Sequence, residues 1–182
     1  MRVLFKLWRT FRANRRGTST IEFVLIFPGF LAILLTGYES GMMMVRNVLL
    51  ERGVDLAVRD LRLGTPTPPT FEELRATICR ESMLIQPEDC DDTIQVQLEP
   101  VDMASWATFD TPARCIDQAA DIEPIDDTTY LGGGNNQLML VRVCSLYRPM
   151  FAPTGWGMQM PNDGQGNYAL VVTTAFVNEP TR

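Results

Sequence analysis

The 182-residue sequence contains no histidine. That absence removes the usual general base, the commonest metal ligand and the one side chain that ordinarily titrates near neutral pH. Four cysteines are present, but no two form a C-x-x-C pair, which argues against a zinc site and against thioredoxin-like redox work. Residues 1 to 16 lack any acid, and the stretch from Ile21 to Tyr38 lacks any charge except Glu22. No clear small-x-small site follows that stretch, Thr36-Gly37-Tyr38 being a poor one, which disfavours a cleaved secretory signal. The acid clusters Glu88-Asp89, Asp91-Asp92 and Asp126-Asp127 and the turn Asn162 to Asn167 lack the ordered spacing of a calcium loop and read as solvated surface. Gly132-Gly133-Gly134 lacks the lysine and the strand-to-helix setting of a phosphate loop and reads as a turn. Serines and aspartates without a base make no nucleophile. The expectation is therefore no enzyme, no cofactor and no metal.

What is present is a sharp charge contrast. Six of the 16 cations, Arg2, Lys6, Arg9, Arg12, Arg15 and Arg16, lie in the first 16 residues, leaving ten against 22 acids and a net charge of −12 for the remainder. A body this acidic has no electrostatic route to nucleic acid. The apolar run from Ile21 to Tyr38 is about 18 residues long, and one crossing of a bilayer needs roughly 17 to 25. Cationic flanks stay cytoplasmic. The leader is thus expected inside and everything beyond about Ser40 outside, in an oxidising compartment where the cysteines pair as structural disulfides.

Beyond the apolar run, Met43, Leu50, Val54, Ala57 and Leu61 recur at steps of three, four and seven, so the helix continues outward. Asp55 and Arg59, one turn apart with the acid first, form a favourable surface pair. Gly64 and the prolines Pro66, Pro68 and Pro69 end the helix. From Thr18 to Leu63 such a rod would be about 69 Å long, more than twice what a bilayer needs, and its apolar stripe argues that the excess packs on an outer domain. Pro28-Gly29 inside the run predicts a kink or local melting. Gly37 and Gly41 have the spacing that permits close helix contact, and Met42 to Met44 read as lipid or core packing.

A second helix is expected from the capping box of Thr70 and Glu73, with Phe71, Leu74, Ile78 and Ser82 on one face and an end near Leu84. Three strands follow. Thr93 to Glu99 alternates and predicts a sheet covered on one face, while Leu138 to Tyr147 and Tyr168 to Val177 are nearly continuously apolar in their centres, as in more buried strands. Two long irregular stretches, Val101 to Gln137 and Pro149 to Asn167, separate them, with a short helix expected around Cys115 to Ala120. Helices before strands indicate an α+β layer.

The junction Arg15-Arg16-Gly17-Thr18-Ser19-Thr20-Ile21-Glu22-Phe23 resembles the processing site of type IV prepilins: a glycine after basic residues, a glutamate five residues on and an aromatic beside it. Thr20-Ile21-Glu22-Phe23 is similar to the tight-adherence branch. Chain length, the extended first helix, the helix end Arg59-Asp60-Leu61-Arg62-Leu63-Gly64 and the segment from Cys90 into a strand resemble the TadE-like minor pilins, or pseudopilins, of that system. The resemblance implies cleavage by a prepilin peptidase between Gly17 and Thr18, and a role for Glu22, beside Phe23, in setting subunit register against a neighbouring amino terminus. A carboxylate at the headgroup edge needing no partner is the other reading of Glu22. Cleavage also removes the six cations that would hold the chain at the cytoplasmic face.

Four cysteines allow three connectivities. Cys79 with Cys90 and Cys115 with Cys144 is the favoured set, the first clipping the second helix to the strand after it and the second pinning the long loop to a strand, each contributing about 2 to 4 kcal/mol. The expected architecture is an α+β protein with a long N-terminal transmembrane helix as a pilin-like stalk. A small periplasmic domain with a second helix and an antiparallel sheet of about three strands follows. Its parts would be a cytoplasmic leader (1–17), a long helix (18–63, transmembrane over about 20–40 and periplasmic over 41–63), a linker (64–70) and an α+β domain (71–182). The expected location is the bacterial inner membrane, single-pass, with incorporation into the pilus left open. Expected partners are the membrane, the peptidase, other pilins and the inner-membrane assembly platform. The competing function is a permanently anchored protein whose outer domain binds a ligand through its long loops, exposing Trp106, Trp156 or the acidic turns.

Overall fold

The computed structural model describes residues 18–62, 69–83, 90–106, 113–116, 130–151 and 166–179, without the side chains of Thr18 and Asp91. The leader, most of the linker, Trp156 and the acid pairs at 88–89 and 126–127 lie outside these. The first helix, α1, runs from Thr18 to Arg62 as one 45-residue element and passes through Pro28 without a break. The local melting expected at Pro28-Gly29 is therefore not found. A proline costs its helix one donor and crowds the preceding turn, and here the helical assignment persists on both sides of it.

The two halves of α1 meet different surroundings. From Ile21 to Leu34 the apolar side chains point outward, with Leu25 and Ile33 about three-quarters exposed, and the helix is long and apolar enough to cross a membrane. In the outer half one stripe turns inward: Leu50, Val54, Ala57 and Val58 are buried, and Met43 and Leu61 pack partly against the same core. This is the stripe that the spacing of apolar residues predicts. Asp55 and Arg59 are exposed.

The second helix, α2 (Phe71–Ser82), starts at the capping box: Thr70 Oγ1 accepts from the Glu73 amide at 3.3 Å and the Glu73 carboxylate accepts from the Thr70 amide at 2.9 Å. Satisfying two end donors in this way contributes about 1 kcal/mol. Leu74, Ile78, Cys79 and Ser82 are buried on one face. The helix stops two residues before Leu84, because Met83 takes a left-handed cap (φ 57°). A single turn, α3 (Cys90–Thr93), leads into the sheet.

The sheet has order β1-β2-β3 and is antiparallel throughout, with β1 Ile94–Pro100, β2 Leu138–Tyr147 and β3 Tyr168–Val177. Register puts Ile94, Val96 and Leu98 beside Ser145, Val143 and Val141, and Val143 beside Val172. Their shared face packs under α1 and α2, with α1 lying on α2 and β3 and α2 on β1. The result is the expected two-layer α+β arrangement.

Two strand expectations need correction. β1 is covered on both faces over its middle, because the segment 113–116 lies across the second face: Gln97 is buried there and its Oε1 accepts from the Arg114 amide at 2.9 Å. β3 is buried on one face only, since it is an outer strand and Val171, Thr173, Ala175 and Val177 are exposed. β2, the central strand, is buried on both sides along nearly its whole length. Nor is there a helix at Cys115-Ile116, which are irregular; 117–120 lie outside the described residues.

Both cysteine pairs named from the sequence lie at disulfide distance. Cys79 joins Cys90 with Cα atoms 6.1 Å apart, tying α2 to α3, and Cys115 joins Cys144 with Cα atoms 5.2 Å apart, pinning 113–116 onto β2. Around the second bridge Ile116, Cys144 and Leu146 form a small separate cluster. With a sequence separation of 29 against 11 for the other bridge, this one removes more freedom from the unfolded chain.

Gly53 sits where α1 crosses α2. A Cβ there would lie 3.0 Å from the carbonyl oxygen of Ile78 and 3.0 Å from the amide nitrogen of Ser82, both backbone atoms that cannot rotate away. Alanine normally gains about 1 kcal/mol over glycine inside a helix, but overpacking a fixed backbone costs about 1 to 3 kcal/mol. Gly53→Ala is therefore expected to lower the urea midpoint of the detergent-solubilised protein; a raised midpoint would show that the two helices separate freely.

Candidate functional site

Two regions of α1 carry the polar groups that matter. The first is its amino-terminal end. Thr18 is the first described residue of the helix, Glu22 lies one turn further on, and both Glu22 and Phe23 are exposed. Phe23 stacks on Phe27 one turn away, with ring centroids 4.9 Å apart. Gly17 lies outside the described residues, so the two processing positions are represented here only by the backbone of Thr18. Further along, a Cβ on Gly37 or Gly41 would meet no other atom, so that face of the helix is open.

The second region was not legible in the sequence. Glu39, the residue directly after the apolar run, is buried at 5 % exposure. Its carboxylate accepts from the Met150 amide at 3.2 and 3.4 Å and from the Phe151 amide at 3.3 Å, bridging 111 and 112 positions of sequence. Tyr38 meets Phe151 edge to face at 6.1 Å. Two turns up the helix the Arg46 guanidinium lies 4.3 Å from the centre of the Tyr147 ring, a cation–π contact, and Tyr147 in turn meets Tyr168 edge to face at 5.5 Å. One clamp thus joins the helix to the ends of β2 and β3. At the opposite end of the sheet the ion pair of Arg62 with Glu179, 3.6 Å apart and exposed, adds little.

The only sequence signal for the clamp is a second acid at the margin of an otherwise uncharged run. Its partners are main-chain amides, which any residue supplies, so no pattern announces them. Burying the carboxylate is tolerable because two charge-assisted hydrogen bonds replace water. Among the described residues no group of three histidine, cysteine, aspartate or glutamate side chains is placed to hold a metal ion. The clamp offers no nucleophile and base in contact; what it does is fix the domain to its stalk.

At the far end of the sheet, Pro100 to Met103 and Asn135 to Leu138 line an open groove of about 560 Å³. Asp102 accepts from the Ser105 hydroxyl at 2.7 Å and the Ala104 amide at 3.0 Å, bonds that hold its carboxyl below the ordinary value. Trp106 follows, half-exposed and with a left-handed backbone (φ 56°).

No family model, no curated protein and no solved structure matches the chain.

Three tyrosines around the domain respond to their burial. Desolvation pushes Tyr130, Tyr147 and Tyr168 above the ordinary value of 10.0, helped by nearby Glu73 at Tyr130 and by Glu39 at Tyr147 and Tyr168, while Arg46 opposes it at Tyr147. The hydroxyl of Tyr130 donates to the Pro69 carbonyl at 2.6 Å. That of Tyr147 is buried without a hydrogen-bond partner among the described residues. A raised pKa means the fold favours the neutral phenol, so its contribution is fully present below the unfolded-state value and is lost as pH rises through the folded-state one. Stability of the solubilised protein to urea should therefore hold steady up to about pH 9.5 and fall above about pH 10. Tyr130→Phe and Tyr168→Phe should each flatten that fall, and an unchanged slope in both would remove the tyrosines as its cause.

Proposed function

We propose that this chain is a minor pilin, or pseudopilin, that takes part in assembling a bacterial tight-adherence, type IV-like pilus. A prepilin peptidase cuts it after Gly17, and Thr18 becomes the mature amino terminus. The observation that carries this reading is α1: it is helical from Thr18, apolar and outward-facing over its first half, and packed as a core element of the domain over its second. A helix used only as an anchor has no need to continue through the domain it holds. A helix used as a packing stalk does, because the domain must follow every movement of the stalk.

In this reading the leader cations keep the amino terminus cytoplasmic until cleavage. Removing them replaces six cations by a single α-amine at the inner end, so the helix is more easily drawn out of the membrane. Glu22 then faces hydrocarbon or a neighbouring subunit, and an ionised carboxylate in that setting gains several kcal/mol from meeting a cation. The new amine of an adjacent Thr18 is such a cation, so pairing selects one stagger between subunits. The domain sits on the periplasmic side, where an oxidising compartment keeps both disulfides formed. Other pilins and the inner-membrane platform are the partners this mechanism needs.

The anchored ligand-binding reading finds support in the open groove lined by Pro100 to Met103 and Asn135 to Leu138, at the end of the sheet opposite the Glu39 clamp. The two readings part at the amino terminus. Protein recovered from membranes of cells that carry the peptidase should begin at Thr18, and an intact Met1 there would sink the pilin reading.

Glu22→Ala should leave membrane insertion intact while pilus assembly fails, measured as pili sheared from the cell surface. Normal assembly in that variant would take Glu22 out of the mechanism.

A further inference from the structure

The clamp fixes where the domain stands relative to the bilayer. From Thr18 to Tyr38 the helix rises about 30 Å, the thickness of the hydrocarbon core, so Glu39 falls at its outer boundary. The amides of Met150 and Phe151 bond directly to the Glu39 carboxylate. The rim of the domain that holds them is thus within a side chain's length of the membrane surface.

That rim is apolar where a water-facing rim has no reason to be. Met150 is 62 % exposed, Tyr38 is 47 % exposed, and Phe151 is only partly covered by Tyr38. Its charges also differ from those of the rest of the outer chain. Arg46 and Arg148 stand near it, and the one acid in the clamp, Glu39, is buried and hydrogen-bonded. The chain beyond the leader carries a net charge of −12, so two arginines near this edge, among the described residues, run against the overall bias. Aromatic and sulfur side chains beside arginines are the composition that partitions into the headgroup layer, rings at the interface and guanidinium groups at the phosphates.

We propose that the rim formed by Tyr38, Met150 and Phe151, flanked by Arg148, is a lipid-binding surface seated in the interfacial layer of the outer leaflet, and that Glu39 holds it there. The domain rests on the membrane through this edge while α1 crosses it. The inference depends on α1 spanning the bilayer and is independent of the pilin assignment.

The test uses the full chain in vesicles of phosphatidylethanolamine and phosphatidylglycerol, with a polarity-sensitive fluorescent amino acid placed singly at Ile33, Val48 or Met150. Quenchers are lipids spin-labelled either near the headgroup or deep in the acyl chain. The Ile33 probe, in the span, should be quenched by the deep label; if it is not, α1 does not cross and the span itself is at fault. The Val48 probe, exposed on the outer helix and about 14 Å above Glu39, should emit as in water and stay unquenched.

With those two controls in place, the Met150 probe should shift to the blue and lose about half its emission to the shallow label, as expected of a side chain in the interface. Water-like emission without quenching overturns the proposal. So does blue-shifted emission without quenching, which would mean that protein, such as a second copy of this chain, covers the rim. Adding Glu39→Ala should abolish the quenching at Met150 and leave that at Ile33 unchanged. Quenching that survives at Met150 would overturn the part assigned to Glu39.

Discussion

The structure depends on a single helix having to satisfy two solvents. Over its first half α1 exposes apolar side chains on every side, which is stable only where the surroundings are themselves apolar. Over its second half the same helix buries one stripe, Leu50, Val54, Ala57 and Val58, and leaves Glu51, Arg52, Asp55, Arg59 and Asp60 to water. The change takes place within about a turn on either side of Glu39. No loop absorbs it, so any tilt of the first half is transmitted to the domain unless something at the boundary takes the load. The Glu39 clamp, with Arg46 on Tyr147 one level above, is what stands at that point.

The outer domain follows from the same constraint. Three strands cannot enclose a core alone, and α1 and α2 supply the second layer. Close packing of those two helices requires Gly53, where backbone meets backbone. The other face of the sheet has no helix among the described residues. There a short irregular segment does the covering, held by the Cys115–Cys144 bridge and by Gln97 bonding to its main chain. Arg142, buried in the central strand on this face, pairs with Glu99 of the neighbouring strand. This face is thus mixed, with a small apolar cluster beside a buried ion pair, where the opposite face is apolar throughout, and the two disulfides divide accordingly: one ties the helical layer, the other ties the segment that covers the second face.

How far the sequence discloses this depends on whether a contact leaves a periodic trace. β2 and β3 are legible to their end residues because apolar runs stop abruptly at polar loops. The α2 start is legible because a capping box involves two side chains at fixed spacing, and the α1 stripe because helical burial repeats. β3 misleads for an identifiable reason: its continuous apolar centre reads as two-sided burial, whereas Val171 and Ala175 are exposed on an outer strand. The segment at Cys115 misleads because a disulfide, rather than local propensity, decides its path. Gly53 carries no trace, since a missing side chain has no period. Glu39 is the most consequential omission, and the least recoverable: the letters at 150 and 151 could be almost any residues and still offer their amides. The proposed processing site is entirely a matter of sequence, and the structure contributes only the helix described from Thr18 onward.

The placement of the two acids on α1 gives the helix a polarity that neither acid supplies alone. Glu22 and Glu39 are 17 residues apart, about 26 Å along the axis, and they bracket the apolar run from opposite sides. Glu39 is satisfied within its own chain by two main-chain donors. Glu22 is exposed and has no hydrogen bond or ion pair among the described residues. An acid that is already satisfied fixes an intramolecular geometry; an acid still open to a cation can select an intermolecular one. Among the described residues, the same side chain type is thus hydrogen-bonded at one boundary and unpaired at the other, as the proposed pairing of Glu22 with a neighbour's amine requires. That asymmetry fits a chain that holds its domain rigidly to a stalk while leaving the stalk's inner end available to a neighbour.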